Sequence, residues 1–214
     1  MPVRLALFED KIVPGRSLAW RPAPRVIYVR GGSVRVRDAA ATHPLTVDRC
    51  ALFQGELAVS GDGEIWTFEI SAAALAAMDD DDKRRTILAA EIDLDATKPV
   101  LFRADRVDFL PDGVTPRHGH KGSGIRRLLF GRLVAEIGHE VRRIESGQAW
   151  FESGRDPVIG RNIAPASAFV RGLALPVELK GQPTFIPWTP EEASKPRGVR
   201  PQPFFDEIVT LPSP

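Results

Sequence analysis

Two histidines one residue apart, His118 and His120, stand in the glycine-rich stretch Asp112–Gly131. Residues two apart on a strand point to the same face. Two imidazoles on one face can hold one metal ion, and imidazole suits Zn, Fe, Cu or Ni. Two imidazoles alone bind a divalent ion weakly, because stable sites have three or more protein ligands. Glu152 offers a third donor. It lies on the candidate strand Ala149–Glu152, on the same face as Trp150. If that face points inward, the set becomes two histidines and a carboxylate, which suits non-haem Fe(II) and leaves positions open for substrate. If it points outward, Glu152 is a solvated carboxylate. Arg126, two residues after Gly124, shares that position's face, while Arg127 must point the other way. An inward guanidinium there could bind a carboxylate substrate bidentately. Trp150, Phe151, Phe169 and Phe130 are candidates to line a cavity or simply to fill the core. Ser123 has no visible base partner, and Gly122-Ser-Gly124 lacks the lysine-serine pair of a phosphate loop.

The elements that must position these residues read as short strands. Arg25-Val-Ile-Tyr-Val-Arg is β-branched and aromatic and ends in Gly31-Gly32; Ser33-Val-Arg-Val-Arg alternates, so the pair predicts a hairpin. Ala51-Leu-Phe, Leu57-Ala-Val and Glu64–Ile70 extend the β pattern. Residues 71–86 interrupt it, with an alanine-rich turn or two of helix and then the acidic run Asp79-Asp-Asp-Asp, which reads as an exposed linker and a domain boundary. Strands resume at Ile87–Asp93, Val100–Arg103 and Arg106–Leu110. Gly138-His139 marks a hairpin turn, and Ala168–Leu175 is a strong strand. The tail from 179 is proline-rich. Thr189-Pro-Glu-Glu has the signature of a short helix, with Thr189 as N-cap, Pro190 at the first helical position and Glu192 in a capping box. Short strands at close spacing predict an all-β sandwich or barrel.

Composition removes several classes. The 214 residues suffice for one large or two small domains, and the formal charge of +1 gives no support for a nucleic-acid or anionic-membrane surface built on bulk charge. Cys50 is the only cysteine, so neither an internal disulfide nor a cysteine-rich zinc site is possible. No apolar run approaches membrane-spanning length, and the first residues lack a signal-peptide core; a cytoplasmic protein is expected.

The residues around the histidine pair resemble the cupin superfamily. The first cupin motif runs Gly, five residues, His-x-His, three or four residues, Glu, six residues, Gly. Here His118-Gly-His120 and Gly131 match; Gly113 is one residue too close, and Gly124 stands where the glutamate belongs. Gly147–Asn162 matches the second motif in length and in its closing Asn162, but Val158 takes the histidine position. The resemblance covers roughly 105–176. The N-terminal half resembles a degenerate copy whose ligand positions hold Ala19, Arg21 and Arg25.

The resemblance implies an all-β bicupin-like, jelly-roll chain. Its expected parts are a degenerate half at 1–70, a linker at 71–86, the histidine-bearing barrel at 87–178, and a C-terminal extension at 179–214 that packs on that barrel. It implies a second copy of the chain as partner and a small-molecule ligand. Two function classes follow. One is a metal-dependent enzyme (dioxygenase, isomerase or decarboxylase type) on a small organic acid. There His118, His120 and Glu152 would hold one Fe, Mn, Ni or Zn ion, and Arg126 and Trp150 would meet the substrate. The other is a metal-free binding or sensing cupin without catalysis, which Gly124 and Val158 favour.

Overall fold

The computed structural model describes residues 1–76 and 84–212. Apart from two four-residue helices and one 3-10 turn, its regular structure is all β-strand. Two compact units divide it: residues 1–100 with 208–214, and residues 101–207.

The first unit holds β1 (Pro2–Ile12), β2 (Ser17–Trp20), β3 (Arg25–Arg37), β4 (Thr42–Thr46), β5 (Cys50–Phe53), β6 (Leu57–Ala72), α1 (Ala73–Ala76) and β7 (Arg85–Asp95). They form one sheet in the order β4-β3-β6-β1-β7, with β2 on β6 and β5 on β3. The expected hairpin at 25–37 is instead one long strand, because Gly32 with φ +71° passes the chain through a bend without ending its pairing to β6. Alternate residues Ile27, Val29, Val34 and Val36 of β3 join Ile65, Leu57 and Phe53 in one core.

The second unit is built from β8 (Val100–Phe109), β9 (His118–His120), β10 (Ser123–Phe130), β11 (Arg132–Ile137), β12 (Glu140–Glu145), β13 (Ala149–Glu152), β14 (Val158–Asn162), β15 (Ser167–Leu175), β16 (Phe185–Pro187), α2 (Pro190–Ala193) and most of β17 (Val199–Val209). Two five-stranded sheets result, β13-β10-β15-β8-β17 and β12-β11-β14-β9-β16. Val107, Phe109, Leu128, Trp150 and Phe169 of the first sheet pack against Leu133, Ala135 and Ile144 of the second, so the core lies between them. Gly131 turns the chain from one sheet to the other at φ +86°, where a Cβ would stand 2.2 Å from the Ala166 carbonyl oxygen, so glycine is required.

Three expectations are corrected. Residues 87–93 belong to β7, which pairs with β1 of the first unit, not to the histidine-bearing barrel. This long-range pairing leaves no signal in the local pattern. The linker reading at 71–86 survives only in part: β6 runs to Ala72, α1 follows, β7 starts at Arg85, and residues 77–83 lie outside the described residues. The tail is not a mere extension. β16 pairs with β9, and β17 forms the edge of the other sheet, where its prolines Pro201 and Pro203 are tolerated. The capping expectation for α2 is half right. Thr189 accepts from the Glu192 N–H, but the Glu192 carboxylate accepts from the Arg117 N–H instead of closing the box.

Leu128 is fully buried between the sheets, whereas Val141 is 72% exposed. Leu128→Ala should therefore cost about 2–5 kcal/mol and Val141→Ala less than about 0.5 kcal/mol, read by chemical denaturation.

Candidate functional site

β9 brings His118 and His120 to one side of the second unit, and the first sheet supplies the opposing floor. In register across that sheet stand Trp150, Arg126, Arg171 and Asp105, contributed by β13, β10, β15 and β8. A buried guanidinium, Arg126, and a partly buried one, Arg171, are therefore neighbours, and each needs its own carboxylate. Arg171 takes Asp105 in a bidentate pair at 2.6 and 2.9 Å. Arg126, 1% exposed, meets Glu152 at 2.6 Å.

Gly124 explains how. It pairs in register with Glu152, so the carboxylate sits one strand away from the position that the family motif gives to glutamate. A Cβ at Gly124 would lie 2.2 Å from Leu173 Cδ2 and 2.8 Å from the Gly172 carbonyl oxygen, and 3.3 Å from Arg126 Nη1. With no side chain there, Arg126 folds back and donates through Nη1 to the Gly124 carbonyl oxygen at 2.7 Å. A buried guanidinium thus occupies the neighbourhood in which the motif would place a carboxylate.

The remaining contacts fix the donors. His118 Nδ1 lies 2.8 Å from the Pro116 carbonyl oxygen and donates to it, which leaves Nε2 bare and aimed at the site. Its ring stacks on Phe185, with centroids 4.5 Å apart. His120 Nε2 is 3.2 Å from His118 Nε2 and 3.2 Å from Glu152 Oε2. Trp150 Nε1 donates to Glu152 Oε1 at 2.8 Å. Burial pushes the His118 imidazolium down to about 4, helped by the neighbouring His120. Burial likewise lowers His120, against the pull of Glu152. Burial alone would raise the Glu152 carboxyl, but the Arg126 charge, with His120 and Trp150, outweighs it and holds the group well below the usual carboxylate range. Burial lowers Arg126 to about 10, opposed by Glu152, so it stays charged at neutral pH. At pH 7 the floor holds two neutral imidazoles and two closed ion pairs.

These groups line one cavity of about 110 Å³, walled by Val107, Phe109, Leu133, Val158 and Phe169, with Thr115, Thr184 and Arg197 also on it. All four predicted groups, the histidine pair, Glu152, Arg126 and Trp150, converge there. Phe130 does not; it is 40% exposed. Phe151 faces away, onto a separate groove beside Trp188. Sequence reasoning missed Arg171 and Asp105. The available signal was a charge set inside the apolar run Phe169–Leu175. It also missed Phe185 and Arg197 from the tail. Asn162, the closing residue of the second motif, is structural: it donates to the Leu110 carbonyl oxygen and accepts from Ser167.

As arranged, these residues do not make a metal site. Among the described residues no group of three or more His, Cys, Asp or Glu side chains could hold an ion. The reason is electrostatic. Glu152 is spent on Trp150 and Arg126, and a cation beside the imidazoles would also sit beside a buried guanidinium. Val158, opposite His118 across β14 and β9, adds no donor.

No protein-family profile and no curated protein matches this chain. Solved structures do. An oxalate decarboxylase from Lactobacillus farciminis, in a formate complex, has a TM-score of 0.62 at 13% identity, over 90% of this chain and 82% of its own. AerE from Microcystis aeruginosa gives 0.57 at 14%, over 82% and 89%. A cupin 2 conserved barrel protein from Leptotrichia buccalis gives 0.52 at 10%, over 80% and 83%. The chain has the cupin fold. At these identities the likeness shows the cupin architecture and no activity. Among the described residues no helix is long and apolar enough to cross a membrane.

The charges of this site lead to two predictions. Arg126→Met leaves Glu152 buried without its counter-charge and should cost about 3–5 kcal/mol, whereas R126M/E152Q, which removes both charges and keeps an acceptor for Trp150, should recover most of it; equilibrium unfolding of the pair decides. Below pH 6.5 the unfolded chain protonates His118, while the fold refuses that proton until about pH 4. Stability should therefore fall with pH across that window, by up to about 3 kcal/mol more in the parent than in His118→Gln, measured by denaturation at pH 4 to 7.

Proposed function

We propose that the second unit is a metal-free cupin that binds a small organic acid. The observation that carries this reading is buried polarity on one apolar cavity: His120 Nδ1 has no hydrogen-bond partner, and Arg126 Nη2 and Glu152 Oε2 have only their mutual ion pair and the His120 contact, with no well-directed hydrogen bond of their own. Buried polar groups are nearly always satisfied, so such a cluster marks a place for water or a ligand. The carboxylate of an acid can accept from Arg126 Nη2, and a hydroxyl on the same molecule can donate to His120 Nδ1. The exposed Arg197, its guanidinium 4.1 Å from the Phe185 ring, adds positive charge at the cavity. The volume is below the roughly 150 Å³ that holds benzene, which favours short aliphatic acids.

Proton-transfer catalysis is the less favoured partner of this site. An effective general base titrates near the working pH. His118, lowered to about 4, and Glu152, lower still, are weak bases at pH 7. A binding or sensing role asks nothing of them but shape and charge.

One spacing favours a second reading, a metal-dependent enzyme of dioxygenase, isomerase or decarboxylase type. The 3.2 Å steps from His118 Nε2 to His120 Nε2 to Glu152 Oε2 suit three donors that could share an ion if Glu152 gave up Arg126.

The test is a thermal-shift and calorimetric screen of two- to five-carbon carboxylic acids in the presence of chelator. An acid should raise the melting temperature of the parent and not of R126M/E152Q. Absence of any response in chelator, with a response once Fe, Mn, Ni or Zn is added, would replace this reading by the second.

A further inference from the structure

The first unit has a polar interior of its own, unconnected with the histidine pair. On β1, Phe8 and Asp10 alternate inward with Ile12; on β6, Ile65, Thr67 and Glu69 do so; on β3, Arg25, Ile27 and Val29. Thr67 is central to this patch, in register with Phe8 on one side and Ile27 on the other. Asp10, Glu69 and Arg25 are 3%, 6% and 3% exposed. Arg25, which stands at a degenerate ligand position of the sequence, donates through Nε to Glu69 Oε2 at 2.5 Å.

One side chain from outside these strands enters the patch. Arg84 lies at a bend just before β7. Its Nε and Nη2 face Asp10 Oδ1 and Oδ2 at 3.3 and 3.4 Å, and its Nη1 faces Glu69 Oε2 at 3.2 Å. Its guanidinium carbon sits 4.0 Å from the Phe8 ring centre and 4.4 Å from that of Trp20. The planar fork is matched on one edge by a carboxylate, at its tip by a second, and on its surface by two aromatic rings. Thr67 Oγ1, fully buried, has no hydrogen-bond partner, so the patch holds one acceptor more than Arg84 uses.

We propose that this interior is a binding seat for a guanidinium group, filled in cis by Arg84. Asp10, Glu69, Phe8, Trp20 and Thr67 are all fixed on strands. They stand in place whether or not Arg84 arrives. Arg84 reaches them as a tethered ligand, with an effective concentration in the millimolar range. A small guanidinium-bearing solute of the agmatine or free-arginine class competes for the same seat. An ammonium ion, a compact point charge without the fork or the flat face, is a poor substitute.

The test uses the full chain with Arg84→Ala, probed by methylguanidine and agmatine against methylamine and sodium chloride at equal ionic strength. The variant should melt below the parent, and about 1–10 mM agmatine or methylguanidine should restore much of the difference, while methylamine and salt should not. The parent, its seat filled, should respond at least about tenfold more weakly. Asp10→Asn added to R84A should remove the response. Should R84A fail to fold, Arg84→Gln serves in its place with the same readout. The proposal is overturned if the variant melts with the parent, if no guanidinium compound restores it, or if methylamine and salt act equally well.

Discussion

The buried pair between Arg126 and Glu152 organises the second barrel. Each is close to fully buried, and neither could stay charged there alone. Together they order the rest. Trp150 is turned to donate to the carboxylate, His120 is drawn against it, the Gly124 carbonyl takes the folded-back guanidinium, and Arg171 needs Asp105 because its cross-strand neighbour is already a cation. The charges of the two pairs cancel beside an apolar cavity. Gly124 and Val158 stand where the cupin motifs have a glutamate and a histidine, and the charges present form two pairs.

The same logic appears in the first unit with different parts. There the interior holds Asp10, Glu69 and Arg25 on inward strand positions and Arg84 from the bend before β7, again two of each sign. Small β-barrels fill their interiors with side chains unless function keeps a space open. In both units of this chain that filling includes charged groups whose geometry suits a ligand as well as a partner.

Much of this was legible in the sequence, and the boundary of legibility is physical. Period-two alternation put Glu152 on one face with Trp150, and Arg126 on the face opposite Arg127, since side-chain direction on a strand is a local property; which of those faces points inward it left open. The His-x-His spacing and Gly131 carried the fold. What failed depended on register between distant strands. Nothing near Ile87–Asp93 says that it pairs with β1, so the local pattern alone cannot assign that strand to the first unit. Nothing near Arg171 says that it lies opposite Arg126. The proline-rich tail looked like an appendage, yet β16 sets Phe185 opposite His120 and under His118. Phe130 failed for a different reason: it ends its strand beside a glycine turn, where alternation no longer decides which way a side chain points.

We propose that Glu152 is neutralised by the Arg126 guanidinium and not by a metal ion. The most direct test is cobalt(II) titration of the untagged, chelator-treated protein, followed by visible absorption and by elemental analysis after dialysis. The account predicts the spectrum of free aqueous cobalt and far less than one ion retained per chain. A new visible band that saturates near one equivalent, with the ion surviving dialysis, would contradict it and would make Glu152 a metal ligand after all.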